Sequence, residues 1–216
     1  MQLEIDEDLS RKEHAAISRP NFATAKILIR GNAPLCMNKM SSANRSKMMI
    51  KQQEGSRANK RIGRSPKDFD AVFKGAMHIS EEGWHGFPAS ALRAGLISAC
   101  RLVGFKMTLA KLSVFVVADG FDVDDLQPLV RIVSDKPTRR DLPVKLANGS
   151  TDIIPRPFYY PWSAEPMIRW DANQFSGEDV ANLLMRVGEQ VGIGAGRPDS
   201  KKSTGMGWGT FEVPST

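Results

Sequence analysis

The sequence predicts an α+β domain with an antiparallel sheet, on three observations. Short apolar runs rich in Val, Ile and Phe are separated by turn signals such as Asp119-Gly120 and Asn148-Gly149. Two longer segments, after Pro88 and after Ser176, carry apolar residues at helical spacing. With 216 residues, 41% of them hydrophobic, the chain can bury a core without disulfides or metals.

In chain order, residues 1–20 read as a flexible N-terminal arm, and residues 21–216 as a single domain. Ala25 to Arg30 is the first strand, with Ile27 and Ile29 on one face. Pro88 opens a helix to about Val103, with Leu92, Leu96, Ala99, Cys100 and Val103 facing the core. Leu112 to Ala118 reads as the clearest buried strand, and Leu129 to Ser134 as another. Thr138 to Arg156 is polar and forms an extra hairpin turning at Asn148-Gly149. Ile153–Tyr160 and Met167–Trp170 are further strand candidates. Ser176 caps a helix to about Gln190, and Gly209 to Val213 is the last strand. Without its insertions, this order is a ferredoxin-like (RRM-like) βαββαβ core.

The formal net charge of +6 favours a polyanionic partner. It is concentrated in a basic insertion after the first strand, residues 39–74. Lys39, Arg45, Lys47, Lys51, Arg57, Lys60, Arg61, Arg64, Lys67 and Lys74 face only Glu54, Asp68 and Asp70, a net of +7. The insertion lacks a steady apolar period and reads as flexible, part helical, and ordered by a partner. Cys36 and Cys100 have no metal-type spacing, so reduced thiols and a cytoplasmic location are expected. No apolar run is long enough to span a membrane, and the acidic, polar start is not a signal peptide.

The most informative segment is GIGAGRPDSKKSTGMGWG. Gly192, Gly194, Gly196, Gly205, Gly207 and Gly209 allow close backbone approach, while Arg197, Lys201 and Lys202 add charge. This reads as a phosphate cradle, against the alternative of a plain loop joining the last helix to the last strand. It follows a helix rather than a strand, so it is not a dinucleotide fingerprint, and no GK[ST] makes it a P-loop. A second feature is the helix start at Pro88, with Ser90 and Arg93 in its first turn. Trp208, inside the glycine run, is the best base-stacking candidate; Trp162 and Trp170 read as core.

The Pro88, Ser90, Arg93 helix start, followed by a glycine-rich loop before the last strand, resembles the RAMP superfamily. Those RRM-type proteins include the backbone subunits of CRISPR effector complexes, and the chain also resembles a phage-encoded family with the same C-terminal run. The resemblance spans about a third of the chain. It implies a homo-oligomer wrapping a single strand of nucleic acid, with the basic insertion as a finger-like extension.

Some members of that superfamily cut RNA with an acid after the first strand, but between Gly31 and Lys67 only Glu54 is present. His78 and His85 show no Ser or Tyr relay nearby in sequence. The acidic turn Asp119, Asp122, Asp124, Asp125 lacks the EF-hand pattern and reads as solvated. The expectation is therefore a non-catalytic protein without metal or cofactor that binds single-stranded nucleic acid, RNA or DNA, as an oligomer. The alternatives are a RAMP-type endoribonuclease and a protein-interaction module mimicking a CRISPR backbone subunit.

Overall fold

A computed structural model describes residues 19–55, 66–145, 149–200 and 205–214. The predicted first strand is split in two, β1 (Phe22–Lys26) and β2 (Ile29–Gly31), followed by β3 (Leu35–Cys36). The first half of the basic insertion is a regular helix, α1 (Ser42–Glu54). Ser41 caps it by accepting from the Asn44 amide, and Gly55 ends it at φ 57°. No residue of α1 is buried. Then come α2 (Phe69–Gly75), β4 (His78–Ile79), β5 (His85–Pro88) and α3 (Ala89–Ala99).

At Cys100 α3 tightens into a 3-10 turn that ends at Gly104. The change of pitch rotates Val103 off the core stripe, so it is half exposed rather than buried as predicted. A second correction follows. Residues 112–113 end a helix, α4 (Met107–Ser113), and Leu112 is 73% exposed. The strand starts only at Val114, as β6 (Val114–Val117), and Val114 is its one fully buried residue.

The remaining elements are β7 (Gly120–Phe121), β8 (Pro128–Arg131), β9 (Val133–Ser134), β10 (Thr138–Lys145), β11 (Thr151–Tyr159), β12 (Trp162–Ala164), β13 (Met167–Asp171), α5 (Gly177–Arg186) and β14 (Phe211–Glu212). Ser176 and Asp179 form a reciprocal capping box at the start of α5. A π-helical segment, Val187–Val191, extends it.

The sheets are antiparallel throughout. One has the order β1-β13-β6, another β14-β2-β12-β9. The two meet along one bent ribbon, because Lys26 pairs with Met167 while Ile29 pairs with Ala164. Pro166 lies at the break and has no N–H to carry the ladder through it. Its carbonyl accepts instead from the Ile27 amide at 3.2 Å. The strand beside β6 is β13, whereas Pro128–Arg131 belongs to a third sheet, β4-β5-β8-β7. An apolar run such as Leu129–Ser134 shows burial but not its pairing partner.

The fourth sheet, β10-β11-β3, holds the expected hairpin. It tolerates Pro143, Pro155 and Pro157 because all three fall on one parity of the register, so Ile154, Arg156 and Phe158 carry the bonds to β10. The main core lies between α3, α5 and the inner face of β1-β13-β6. Leu92, Leu96, Ile168, Trp170, Val180, Leu184 and Val114 fill it, and Trp162 and Phe211 extend it under β2.

Candidate nucleic-acid interface

The basic insertion is anchored by a buried ionic network. Lys39 is 8% exposed, and its ammonium lies 2.5 Å from Asp122 and 2.5 Å from Asp124. Asp122 is fully buried and also bonds His78 Nδ1 at 2.9 Å. An ionised Asp122 can only accept, so His78 carries its proton on Nδ1. Burial pushes the Asp122 carboxyl up, but Lys39, the Asp124 amide and His78 together hold it below its ordinary value. Burial dominates at His78 and lowers it, so the ring is neutral. Two corrections follow. The acidic turn is not simply solvated, and Lys39 is committed to carboxylates instead of facing a nucleic acid.

Beyond this anchor the insertion is open. Arg45 pairs with Asp125 at 2.9 Å on the surface, and Lys67 with Asp152 at 3.0 Å. Lys47, Lys51 and Lys74 are exposed without an ion pair among the described residues. Arg57, Lys60, Arg61 and Arg64, like Lys201 and Lys202, lie outside the described residues.

The glycine run is folded against the core. Its amides are largely spoken for: Ile193 donates to Gly209 O, Ala195 to Cys36 O, Met206 and Trp208 to Gly196 O, and Gly209 to Pro34 O. Gly192 is buried. A Cβ on Gly194 would lie 2.5 Å from Cys36 O, and one on Gly196 would lie 2.4 Å from the Trp208 ring. Arg197 donates to Gly194 O at 3.2 Å. Asp199 ties the run to α3 through Ser98 Oγ at 2.5 Å and Arg101 at 3.0 Å. Gly196 therefore lets the run pack closely on Trp208, whose ring meets Phe158 edge-on at 4.9 Å, while Gly194 and Gly209 lie against Cys36 O and Ile193 O. Those amides are bonded to the protein and have no donor left for a phosphate.

At the start of α3, Ser90 is exposed. Arg93 is occupied: it donates to Lys111 O at 2.5 Å and Val114 O at 3.0 Å, closing the end of α4, and lies 4.9 Å over the Phe115 ring.

The sequence reading missed the outer face of β1-β13-β6. The register aligns Thr24, Arg169 and Phe115 in one row and Lys26, Met167 and Val117 in the next, with Phe22 opposite Asp171. Period-two alternation places all of them opposite the core side chains. Phe22 is 40% exposed and meets Phe115 edge-to-face at 5.8 Å. The Arg169 guanidinium lies over both rings, at 4.8 and 5.2 Å. An exposed Phe22 and Arg169 beside a half-buried Phe115, on a sheet face that no described element covers, can offer stacking surface for unstacked bases, with cations for the phosphates between them. The signal in the sequence was the alternation of Phe22-Thr24-Lys26 and of Phe115-Val117. Without the pairing register, nothing showed that these strands were neighbours.

His85 also differs from expectation. Its Nδ1 lies 2.8 Å from Tyr159 Oη, supplying the Tyr partner that was absent from the local sequence. The pair lines a recess of about 180 Å³ with Trp84, Arg131, Ser134 and Asp135. Burial lowers the His85 ring from its ordinary value. Among the described residues no cluster of His, Cys, Asp or Glu could hold a metal ion, and no helix is long and apolar enough to cross a membrane. Cys36 and Cys100 are free and buried. The chain matches no protein-family model and no curated protein sequence.

Proposed function

We propose that this protein is a non-catalytic binder of single-stranded nucleic acid that uses the outer face of β1-β13-β6 as its contact surface. The observation that carries the reading is the Phe22–Arg169–Phe115 arrangement, with Phe22 and Arg169 exposed and Phe115 half-buried, on a sheet whose opposite face is core. Lys26 on the same face, and Lys47 and Lys51 on α1, supply charge for the backbone. The strand connectivity is in keeping with a ferredoxin-like core. β1 and β6 both pair with β13 and so run parallel, joined through α3. β14 pairs with β2, which continues β1, and follows β13 through α5. On this reading the third core strand is β12–β13, and the RAMP resemblance extends to an oligomer along one strand of RNA or DNA.

Fluorescence anisotropy with a labelled single-stranded oligonucleotide tests it. Phe22→Ala and Arg169→Ala should each weaken binding by about 5- to 100-fold, as for loss of one stacked base at roughly 1–3 kcal/mol, with unchanged thermal stability. The logarithm of affinity should fall linearly with the logarithm of salt. Binding unaffected by both substitutions would remove the sheet face from the interface. A nucleic-acid-free monomer on size-exclusion chromatography would refute the oligomer.

A second reading, endoribonuclease, is favoured by one observation, the His85–Tyr159 pair beside Arg131. A neutral His is a competent general base. Incubation of labelled RNA with the protein, with and without EDTA, is expected to leave it intact. Cleavage lost in His85→Ala would establish the enzyme instead.

A further inference from the structure

Arg140 and Arg156 face each other across the hairpin. They occupy directly opposed positions on one face, where Cβ atoms stand roughly 4.5–5.5 Å apart and like charges destabilise the pairing. Arg140 is exposed and Arg156 half-buried. Among the described residues neither has an ion pair, although the next residue, Arg139, is paired with both Asp70 and Asp141. The Arg156 Nη1 atom is buried with no hydrogen-bond partner among the described residues. A buried, unpaired donor on a charged group is costly, and natural folds rarely leave one.

The one titratable neighbour that acts on Arg156 gives it no counter-charge. Burial pushes the Cys36 thiol up to about 12, with Arg156 pulling weakly the other way, so the sulfur stays protonated at neutral pH. Burial in turn lowers Arg156, with Cys36 opposing only slightly. The fold thus holds a desolvated guanidinium, a second arginine at the opposed position of β10, and no ion-paired anion for either among the described residues.

The surroundings match one kind of ligand. Phe158 is two residues along β11 from Arg156 and so on the same face. Its ring meets the Trp208 indole edge-on at 4.9 Å, and the indole is held by Gly196. A planar guanidinium fork beside a partly exposed indole suits the phosphate and base of one nucleotide.

We propose that Arg140 and Arg156 form a phosphate site on the β10-β11 hairpin, with Trp208 alongside for the adjoining base. The nucleotide assignment rests on the single-strand reading above; the phosphate site does not. It also restores Trp208 to the interface, at the edge of the packed glycine run and apart from the sheet face.

Two measurements test the proposal. First, the melting temperature is compared in inorganic phosphate and in chloride at matched ionic strength. Phosphate should raise it in the wild type, with the rise lost in Arg156→Met and reduced in Arg140→Ala; no rise in the wild type overturns the site. Arg140 is exposed, so its variant folds even if Arg156→Met does not. Second, anisotropy with labelled single-stranded RNA and DNA should show about tenfold weaker binding for Arg140→Ala and a log–log salt slope shallower by about one. Wild-type affinity in Arg140→Ala, with Phe22→Ala still impaired, would overturn the hairpin as a strand contact and leave the sheet-face reading standing. Arg156-dependent stabilisation by phosphate, with no oligonucleotide bound by the wild type, would uphold the anion site and sink the nucleic-acid reading.

Discussion

Gly209→Ala should unfold or severely destabilise the protein, while Gly207→Ala, two residues earlier, should cost only its backbone penalty. Both glycines have positive φ, 68° and 72°, so both variants bear the left-handed penalty of about 1–2 kcal/mol. Gly207 has open space where a Cβ would go. At Gly209 a Cβ would lie 1.8 Å from Ile193 O, the carbonyl end of the residue whose amide donates to Gly209 O. Relief requires separating the two ends of the glycine run, which meet at Ile193 and Gly209. That separation also drags on the Gly209 amide bonded to Pro34 O and on the start of β14. Overpacking against rigid backbone adds about 1–3 kcal/mol or more. Urea denaturation of both variants reads the difference, and equal midpoints would show that the run can yield.

Asp122→Asn is the second large effect. Asp122 is 0% exposed and holds both the Lys39 ammonium and the His78 ring. The substitution preserves shape but leaves a buried cation with only the half-exposed Asp124. Removing one member of a buried pair costs about 3–5 kcal/mol. Asp125→Asn, which breaks only the surface pair with Arg45, should cost less than about 1 kcal/mol. Similar midpoints for the two variants would mean that water reaches the network. The segment that opens first in Asp122→Asn should be α1, because the buried Lys39 tie then weakens and only the surface Arg45–Asp125 pair still holds the helix to the acidic turn.

The same network sets an acid sensitivity. His78 is held below its ordinary 6.5, so on acidification the unfolded chain takes up its proton first. Stability is therefore complete above 6.5 and falls as the pH drops from there towards the folded value. Asp122 is held below 3.8, so its contribution is complete above 3.8 and is lost as the pH falls through its folded value. Denaturation midpoints across pH should decline in these two stages, and His78→Gln should weaken the first. A profile flat through the mildly acidic range would contradict the burial of His78.

The local chemistry was legible in the sequence. The Ser176 cap, the Pro88 helix start, the paired strands of the hairpin and the core roles of Trp162 and Trp170 all follow from residue type and spacing within a few turns of chain, while Asn148 of the expected turn lies outside the described residues. The candidate site was much less legible. Charge alone could not distinguish Lys39 from Lys47, because the carboxylates that claim Lys39 lie 83 and 85 residues away. Glycine content could not distinguish an open cradle from a packed run, because the carbonyls that take its amides belong to β3, the loop after β2 and the run itself.

By itself, then, the sequence determined an α+β chain with a basic segment after its first strand, two amphipathic helices and a glycine run before the last strand. Those properties depend on short-range sterics and periodicity, which each segment carries wherever it lies. Only the tertiary structure decided which of the described cations are free, which amides are spent, that Phe22, Phe115 and Arg169 share one face, and that Arg140 opposes Arg156 without a counter-ion among the described residues. Pairing between strands is set by register and burial over long separations, and one-dimensional spacing does not encode it.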